Sequence, residues 1–544
     1  MKSIKLLIGL AFVSSVASAQ TGYDAQRFAE KELNGTARFV GMGGAMGALG
    51  ADISVIGTNP AGIALFRRND VSTSFGFNTN VVKSDFAGVN MKEKHTAGSF
   101  DQAGFVYAMK IGNRSSLRYV NFGFNYHKSN NFNRNFAAGG LLDGLSQTNQ
   151  IAAMMDEAFY VNGISDVHGE LDNIYGYDLN GSGSSASNPY LSNKQYPYLG
   201  VMGVRSDLVL KGVTEVEDEH GNKNQIQVPM GWNGDQNYYF SHEEGGIYQY
   251  DFNASFNVED RMYFGLTLGV HDVDYKRFSS YTEDIFWGED KGFYELRNFM
   301  RTEGTGIDLK LGAIFRPIED SPFRFGFAVH TPTWYELTDF YDSDVYSEIT
   351  YKGEKEPGVI EEYVSDYVGG ETIQDYKLIT PWKFNLNMGT VVAGSMALGA
   401  EYEYTDYSTS KLRYVDGYDM DNQNQYMKED LKGVHTIRLG METKLSDAFS
   451  VRAGYNYSTS VFKDNAYKAL NWNDMRADVD YNNKFEQNTF TVGFGYRSRI
   501  FYVDAAYKYN MYKSDFYSFS DEALQATKVD NERHQLLVTL GARF

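Results

Sequence analysis

The stretch "VSTSFGFNTNVVK", residues 71–83, places Val71, Thr73, Phe75, Phe77 and Val81 on one face of an extended chain and Ser72, Ser74, Asn78 and Asn80 on the other. A period of two is the signature of a strand, because successive side chains point to opposite faces. The same alternation recurs near 103–111, 117–127, 246–257, 261–273, 303–316, 322–331, 377–392, 396–405, 432–443, 448–458, 487–497, 500–510 and 533–544. That makes about fourteen strands, close to the roughly 9–11 residues that a tilted strand needs to cross a bilayer. An even number of such strands predicts an all-β fold: a transmembrane antiparallel β-barrel with an apolar outside and a polar lumen.

Composition points the same way. Aromatic residues make up 15% of the chain, with 41 Tyr and 37 Phe, while proline is scarce and mean hydropathy is negative. Aromatic girdles and one-sided strands produce that balance. Short connections such as "NVEDR" (257–261), "PIEDS" (317–321), "AGS" (393–395) and "LSDA" (445–448) alternate with long polar ones. Short turns belong on the periplasmic side of outer-membrane barrels and long loops outside, so both termini are expected in the periplasm. The longest loop is expected at about 128–245, with a helix-like piece, "LLDGLSQTNQIAAMMDEAFY", and a low-complexity piece, "NGSGSSASN". The chain ends on a strand, "QLLVTLGARF", whose terminal aromatic, Phe544, suits recognition by the barrel assembly machinery.

Residues 1–19, "MKSIKLLIGLAFVSSVASA", carry two lysines, a short apolar core and small residues before a cut, as a signal peptide does. The mature chain is expected to begin near Gln20. With no cysteine, disulfides, thiolate metal sites and a lipidated cysteine anchor are excluded. A net charge of −20 disfavours a nucleic-acid partner. Neither a metal nor a cofactor is implied.

Between the signal peptide and the first strand lie some fifty residues, 20–70, which include "GMGGAMGALGADISVIGTNPAG" (41–62). A phosphate-binding loop is excluded here: Gly41-x-Gly43 lacks the third glycine, and neither a preceding strand nor a following lysine is present. The segment 35–77, with its small-residue run followed by Asn59-Pro60-Ala61 and entry into the first strand, resembles the N-terminal hatch of the FadL/TodX family of outer-membrane transporters. "GFAVHTPTW" (326–334) and "LITPWKFNLNMG" (378–389) look like strand motifs of that family. The resemblance implies a hatch over 20–70 inside a barrel over 71–544. It also implies passive uptake of hydrophobic compounds such as long-chain fatty acids, with lateral exit into the outer membrane, among lipid and lipopolysaccharide. A general porin and an outer-membrane lipid-acting hydrolase are the alternatives. For the hydrolase, no Ser-His-carboxylate set falls at one height on adjacent strands, so no catalytic residue is assigned.

The resemblance assigns Asn59, Pro60 and Ala61 to anchoring the hatch. Met42, Met46, Leu49, Ile53 and Val55 are then either the lining of an apolar ligand pocket or the filling of a passive plug. Alternation directs Asp308, Lys310, Lys383, Glu401, Glu403, Arg438, Glu442, Arg452 and Lys508 into the lumen. Lys383, Arg438 and Arg452 could form a cationic patch for an anionic head group. The competing reading is a lumen whose charges neutralise one another, since Glu401 and Glu442 lie close by. His127, His271 and His330 are expected inward at the loop ends of their strands, and His435 and His534 outward at the same rim.

Overall fold

The computed structural model describes residues 20–179, 187–217, 223–468 and 470–544. The signal peptide at 1–19 and most of "NGSGSSASN" lie outside the described residues. Fourteen strands form the wall: β1 (Asp70–Phe86), β2 (Val89–Lys110), β3 (Leu117–Asn131), β4 (Asn233–Val258), β5 (Met262–Trp287), β6 (Asp290–Phe315) and β7 (Arg324–His330) lead. They are followed by β8 (Lys383–Val392), β9 (Met396–Asp406), β10 (Gly433–Lys444), β11 (Phe449–Ser458), β12 (Tyr481–Arg497), β13 (Phe501–Tyr517) and β14 (Thr527–Arg543). Each pairs antiparallel with the next, and β14 closes on β1 with Asp70 opposite Arg543. Fourteen is the number the alternation predicts.

The wall carries its apolar side outward because only that side meets lipid. On β5 the outward residues Met262, Phe264, Leu266 and Leu268 are exposed, and beyond Val270 the outward face turns polar with Asp272. The level of residues 270–272 therefore marks the upper edge of the apolar belt. β4, β5 and β6 are 26 residues each, more than twice what a crossing requires, so they rise well above it. Two of the connections expected to be long polar loops are instead tight turns between such extended strands: Ala87–Gly88 between β1 and β2, and Gly288–Glu289 between β5 and β6. Above the belt both faces of these hairpins meet polar surroundings or cap residues, so the apolar marker that reveals a membrane strand is lost.

The expected loop at 128–245 is corrected in the same way. Lys128, Asn130 and Asn131 stay paired with β4, and Asn233–Gly245 pair with β5. The described residues of the connection proper, 132–179, 187–217 and 223–232, are themselves folded. They contain a strand, Arg134–Leu141, against β4, helices α3 (Gln147–Val161), α4 (Val167–Tyr175) and α5 (Tyr198–Arg205), and a hairpin of Leu210–Glu217 with Lys223–Met230. Together with the upper parts of β5, β6 and β13 these bury one apolar core, with Met155, Phe159, Leu199, Met202, Trp232 and Phe519 almost fully enclosed.

The segment expected to be one strand over 377–392 is broken in two. Thr372–Ile379 pairs with Trp334–Thr350 above the belt, and Lys383–Val392 pairs with β7 below. Both breaks fall at Thr-Pro, Thr331-Pro332 and Thr380-Pro381, since proline has no N–H to give to a ladder. The two breaks are bound together: Thr380 donates its N–H to the Thr333 carbonyl at 3.1 Å, and Thr333 N–H donates to Thr380 Oγ1 at 2.8 Å.

Candidate functional site

The lumen is filled by residues 20–69, and this filling has two parts. The lower part begins at α2 (Ala37–Gly41), whose N-cap Thr36 accepts from Phe39 N–H at 3.1 Å. Two tight 3-10 turns follow, Ile53–Gly57 and Pro60–Leu65, capped by the side chains of Asp52 and Asn59. Gly43 and Gly44 take φ of +62° and +79°, a backbone open to glycine at little cost.

The wall answers this segment with glycines of its own. Gly389, Gly399, Gly440 and Gly454 lie side by side in register across β8, β9, β10 and β11. A side chain at Gly399 would overlap the carbonyl oxygen of Ala45, one at Gly440 that of Met42, and one at Gly454 the amide of Gly43. The hatch backbone thus rests directly on the sheet. A second seat holds Asn59-Pro60-Ala61: a side chain at Gly265 would meet Pro60, and one at Gly312 or Gly326 would meet Asn59. Asn59, fully buried, donates to Asn387 Oδ1 at 2.6 Å, while its own Oδ1 accepts from Ala61 N–H at 3.1 Å. His330 Nε2 contacts the Thr58 carbonyl at 2.9 Å.

Met42, Met46, Ile53 and Val55, each 2% exposed or less, pack with Phe39, Ile56 and Ile63 into one cluster, and Leu49 lies over Gly389 and Gly399. None of these five lines the main internal cavity. In this structure Met42, Met46, Ile53 and Val55 fill the plug rather than border that cavity, and Leu49 stays partly buried against Gly389 and Gly399.

The upper part of the hatch, from Gln20 to Asn34, climbs to the loop end. Helix α1 (Gly22–Ala29) carries a capping box between Thr21 and Asp24. Asp24 pairs with Arg476 at 2.5 Å and with Arg27 at 2.6 Å. Burial opposes the charge on Asp24, but Arg476 and Arg27 outweigh it and hold the carboxyl well below the usual carboxylate range. After α1 the chain crosses the lumen on ionic spokes. Glu30 pairs with Lys484 of β12, Lys31 with Asp308 of β6 at 3.5 Å, and Glu32 with Arg533 of β14. Asn34 then donates to Asp101 Oδ1 at 2.9 Å.

Around this crossing lies a cavity of about 340 Å³, bordered on the hatch side by α1, residues 30–34, Phe39, Ser54 and Gly57–Thr58, and on the wall side by β3, β4, β5, β7 to β14 and the segment 132–136. That volume falls within the roughly 300–1,000 Å³ of small-molecule pockets. Of the expected cationic patch, Lys383 and Arg438 border the cavity, whereas Arg452 does not. Arg438 is held by Glu403 at 3.2 Å and Glu401 at 3.7 Å. Arg452 is held by Glu442 and Asp504, each at 2.6 Å. Both arginines are neutralised where they stand, so the patch as expected does not form. Glu442 also accepts two hydrogen bonds from Arg38, at 2.8 and 2.9 Å, which ties the lower hatch to the wall.

His127, His271 and His330 all face inward. His271 Nε2 lies 3.0 Å from Asp308 and His127 Nδ1 lies 3.7 Å from Asp251, both beside Lys310. His435 and His534 face outward at one height, their Nδ1 atoms each 2.7 Å from the hydroxyls of Tyr402 and Tyr507. Sequence reasoning missed the wall glycines and the cavity residues of 23–34. The first had a signal, an inward glycine at one level in four neighbouring strands.

A fourteen-strand barrel filled by its own N-terminal segment is the arrangement to compare. A Pseudomonas aeruginosa FadL homologue matches with a TM-score of 0.50 at 12% identity, over 94% of this chain and 99% of that one. The chain has the fold of that homologue. The toluene transporter TodX of Pseudomonas putida matches at a TM-score of 0.44 and 10% identity, over 95% of this chain and 100% of its own. TbuX of Ralstonia pickettii, also a toluene transporter, matches at 0.44 and 12%, over 94% and 99%. No family model matches, and neither does any curated protein.

Proposed function

We propose that the protein is an outer-membrane channel for the passive uptake of hydrophobic compounds, long-chain fatty acids and aromatic hydrocarbons among them. The loop end faces outside and both termini face the periplasm. Phe544, at the turn end, is 65% exposed, which suits a contact with the barrel assembly machinery. Lipid and lipopolysaccharide would surround the apolar belt.

The observation that carries this reading is the double glycine seat. It closes the straight path along the lumen, so a cargo entering from the loop end must leave by another way. On the lipid side of the same strands, β8 to β11, an apolar hollow of about 590 Å³ is lined by Met388, Leu398, Leu439, Met441 and Tyr455 among others. This supports lateral release into the membrane over release into the periplasm. An open porin would have no use for a plug fitted this closely.

The test is uptake and conductance together. Cells lacking their own transporters and expressing this barrel are expected to take up labelled oleate or toluene. The purified barrel in planar bilayers is expected to give no large steady ion conductance. Steady conductance without uptake would favour the porin.

A further inference from the structure

The turn end of the barrel carries a charge opposite to that of the chain. The protein's net charge is −20. Yet the hatch exit at 66–70, the turns at 110–118, 258–261, 316–324, 444–448 and 497–500, and the last residues, 542–544, hold twelve Lys and Arg against six Asp and Glu and the terminal carboxylate. Among the described residues only two of the twelve are ion-paired, Arg67 with Asp260 at 2.5 Å and Arg543 with Asp70 at 2.7 Å. Arg68, Lys110, Arg114, Arg261, Lys444 and Arg499 are all exposed. At the other edge of the belt the outward face carries acids instead: Asp272 and Asp274 on β5, Glu303 beside them on β6, and Glu336 on the next strand.

The turn-end cations stand at the very edge of the apolar belt. Lys110 follows Met109, Arg261 precedes Met262 and Arg499 precedes Ile500, and each of these apolar neighbours is exposed. The turns expose further apolar side chains at Ile111, Ile318 and Leu445. A turn that presents apolar side chains and unpaired cations together fits a lipid headgroup layer, where aliphatic stems lie along acyl chains and charged ends reach phosphates. The layout also separates a lipid partner from a protein. The cations occupy the hatch exit, the C-terminus and five of the six turns, lacking only "AGS" at 393–395, and so surround the barrel. A docked protein covers one contiguous patch, whereas lipid headgroups meet the whole circumference.

We propose that this rim binds anionic phospholipid headgroups of the periplasmic leaflet, through charge-assisted hydrogen bonds from its arginines to lipid phosphates. Each Lys or Arg held near an anionic bilayer surface is attracted to it, and a zwitterionic surface offers no such field. The proposal goes beyond the channel reading and takes from it only the orientation of the barrel in the membrane.

The test measures lipid association by electron spin resonance, with the purified barrel in phosphatidylcholine vesicles that carry trace spin-labelled phosphatidylglycerol or spin-labelled phosphatidylcholine. The immobilised fraction is expected to favour phosphatidylglycerol by about threefold or more. In about 1 M salt the preference is expected to fall toward parity. Arg68→Gln, Arg114→Gln and Arg499→Gln together are expected to lower it about twofold. Lys92→Gln, Lys94→Gln and Lys291→Gln together make an equal charge change among exposed loop-end lysines and are expected to leave it unchanged. Heat-dependent gel mobility shows that each variant is a folded barrel.

Equal association of the two lipids, or a preference that the turn-end variant leaves unchanged, overturns the proposal and leaves the rim to an acidic protein partner. An equal loss in the two triple variants overturns it as well, because the effect then belongs to net charge and not to the rim. If no lipid of either kind is immobilised, the membrane-spanning reading itself fails, so the two failures are told apart.

Discussion

The two parts of the hatch are held in different proportions by shape and by charge. From Ala37 to Leu65 the chain is seated mainly by shape: backbone against bare sheet at Gly399, Gly440, Gly265 and Gly312, with most of its apolar side chains sealed and a single ion pair, Arg38 with Glu442, to the wall. From Gln20 to Asn34 it is held by charge, through Asp24, Glu30, Lys31 and Glu32, beside an internal cavity. A shape fit cannot be competed away by ions, and close packing responds to small changes in volume. An ion pair next to a cavity can be exchanged for one with a ligand. The contrast assigns rigidity to the lower part and responsiveness to the upper.

The largest test adds volume to the lower seat. Gly399→Val places side-chain atoms where the Ala45 carbonyl lies, so the plug and the wall cannot both keep their positions. Overpacking alone costs about 1–3 kcal/mol, and a backbone that cannot yield adds to it. The expected outcome is failure to accumulate as a folded barrel, read by heat-dependent gel mobility. Normal folding would mean that the seat is loose.

Next is the charge at the top. Asp24→Asn removes one partner of Arg476, which Asp478 still holds at 2.6 Å. The expected cost is therefore about 3 kcal/mol, at the lower end for a broken buried pair. It should appear as faster hydrogen exchange over 22–34 with 42–65 unchanged. Equal loosening of both parts would erase the distinction between them.

Asn59→Ala reverses the location. It removes the donor to Asn387 and the cap on Ala61 N–H, at an expected cost of about 1–3 kcal/mol. Exchange should then rise over 53–65 and leave α1 protected.

The smallest effect is set by pH in the cap that covers α1. Burial, with the charge of Asp24 nearby, pushes Asp339 up to about 6. Burial pushes Asp474 up to about 7. Both carboxyls are raised above their ordinary value of 3.8, so the folded cap binds more protons than the unfolded chain between about pH 4 and 7. Stability of the cap therefore increases as pH falls from 8 toward 5, and decreases as pH rises through 6 to 7. Protection from exchange over 334–350 and 470–480, taken relative to the intrinsic rate at each pH, should be greater at pH 5.5 than at pH 8. Asp474→Asn should flatten the difference.

The wall was legible because lipid imposes a rule on every second residue: Phe264, Leu266 and Leu268 announce β5 without help from the rest of the chain. Above the belt that rule lapses. Strands such as Tyr275–Trp287 then read as polar loop, and the helices and strands between 132 and 232 read as one long insertion. The hatch was legible as a small-residue segment ending in Asn59-Pro60-Ala61. Its glycines, however, explain only half of the fit. The other half is in Gly389, Gly399, Gly440 and Gly454, whose meaning depends on four strands standing in register. The cavity was the least legible feature. Arg438 and Arg452 have the same sequence pattern as Lys383 and Lys508, and only the three-dimensional positions of Glu403, Glu442 and Asp504 divide the neutralised from the unpaired.

The hatch leads directly into β1, and β1 meets β14 at the seam where Asn69 and Phe544 exchange backbone hydrogen bonds of 3.0 and 3.1 Å. The strands that carry the seats, β5 to β11, all lie between those two ends. A plug pressed this tightly against its container cannot be threaded in from either mouth once the seam is shut. Its chronology is therefore contained in its topology: the plug is in place before the last strand joins the first, and closure of the cylinder is also the step that encloses it.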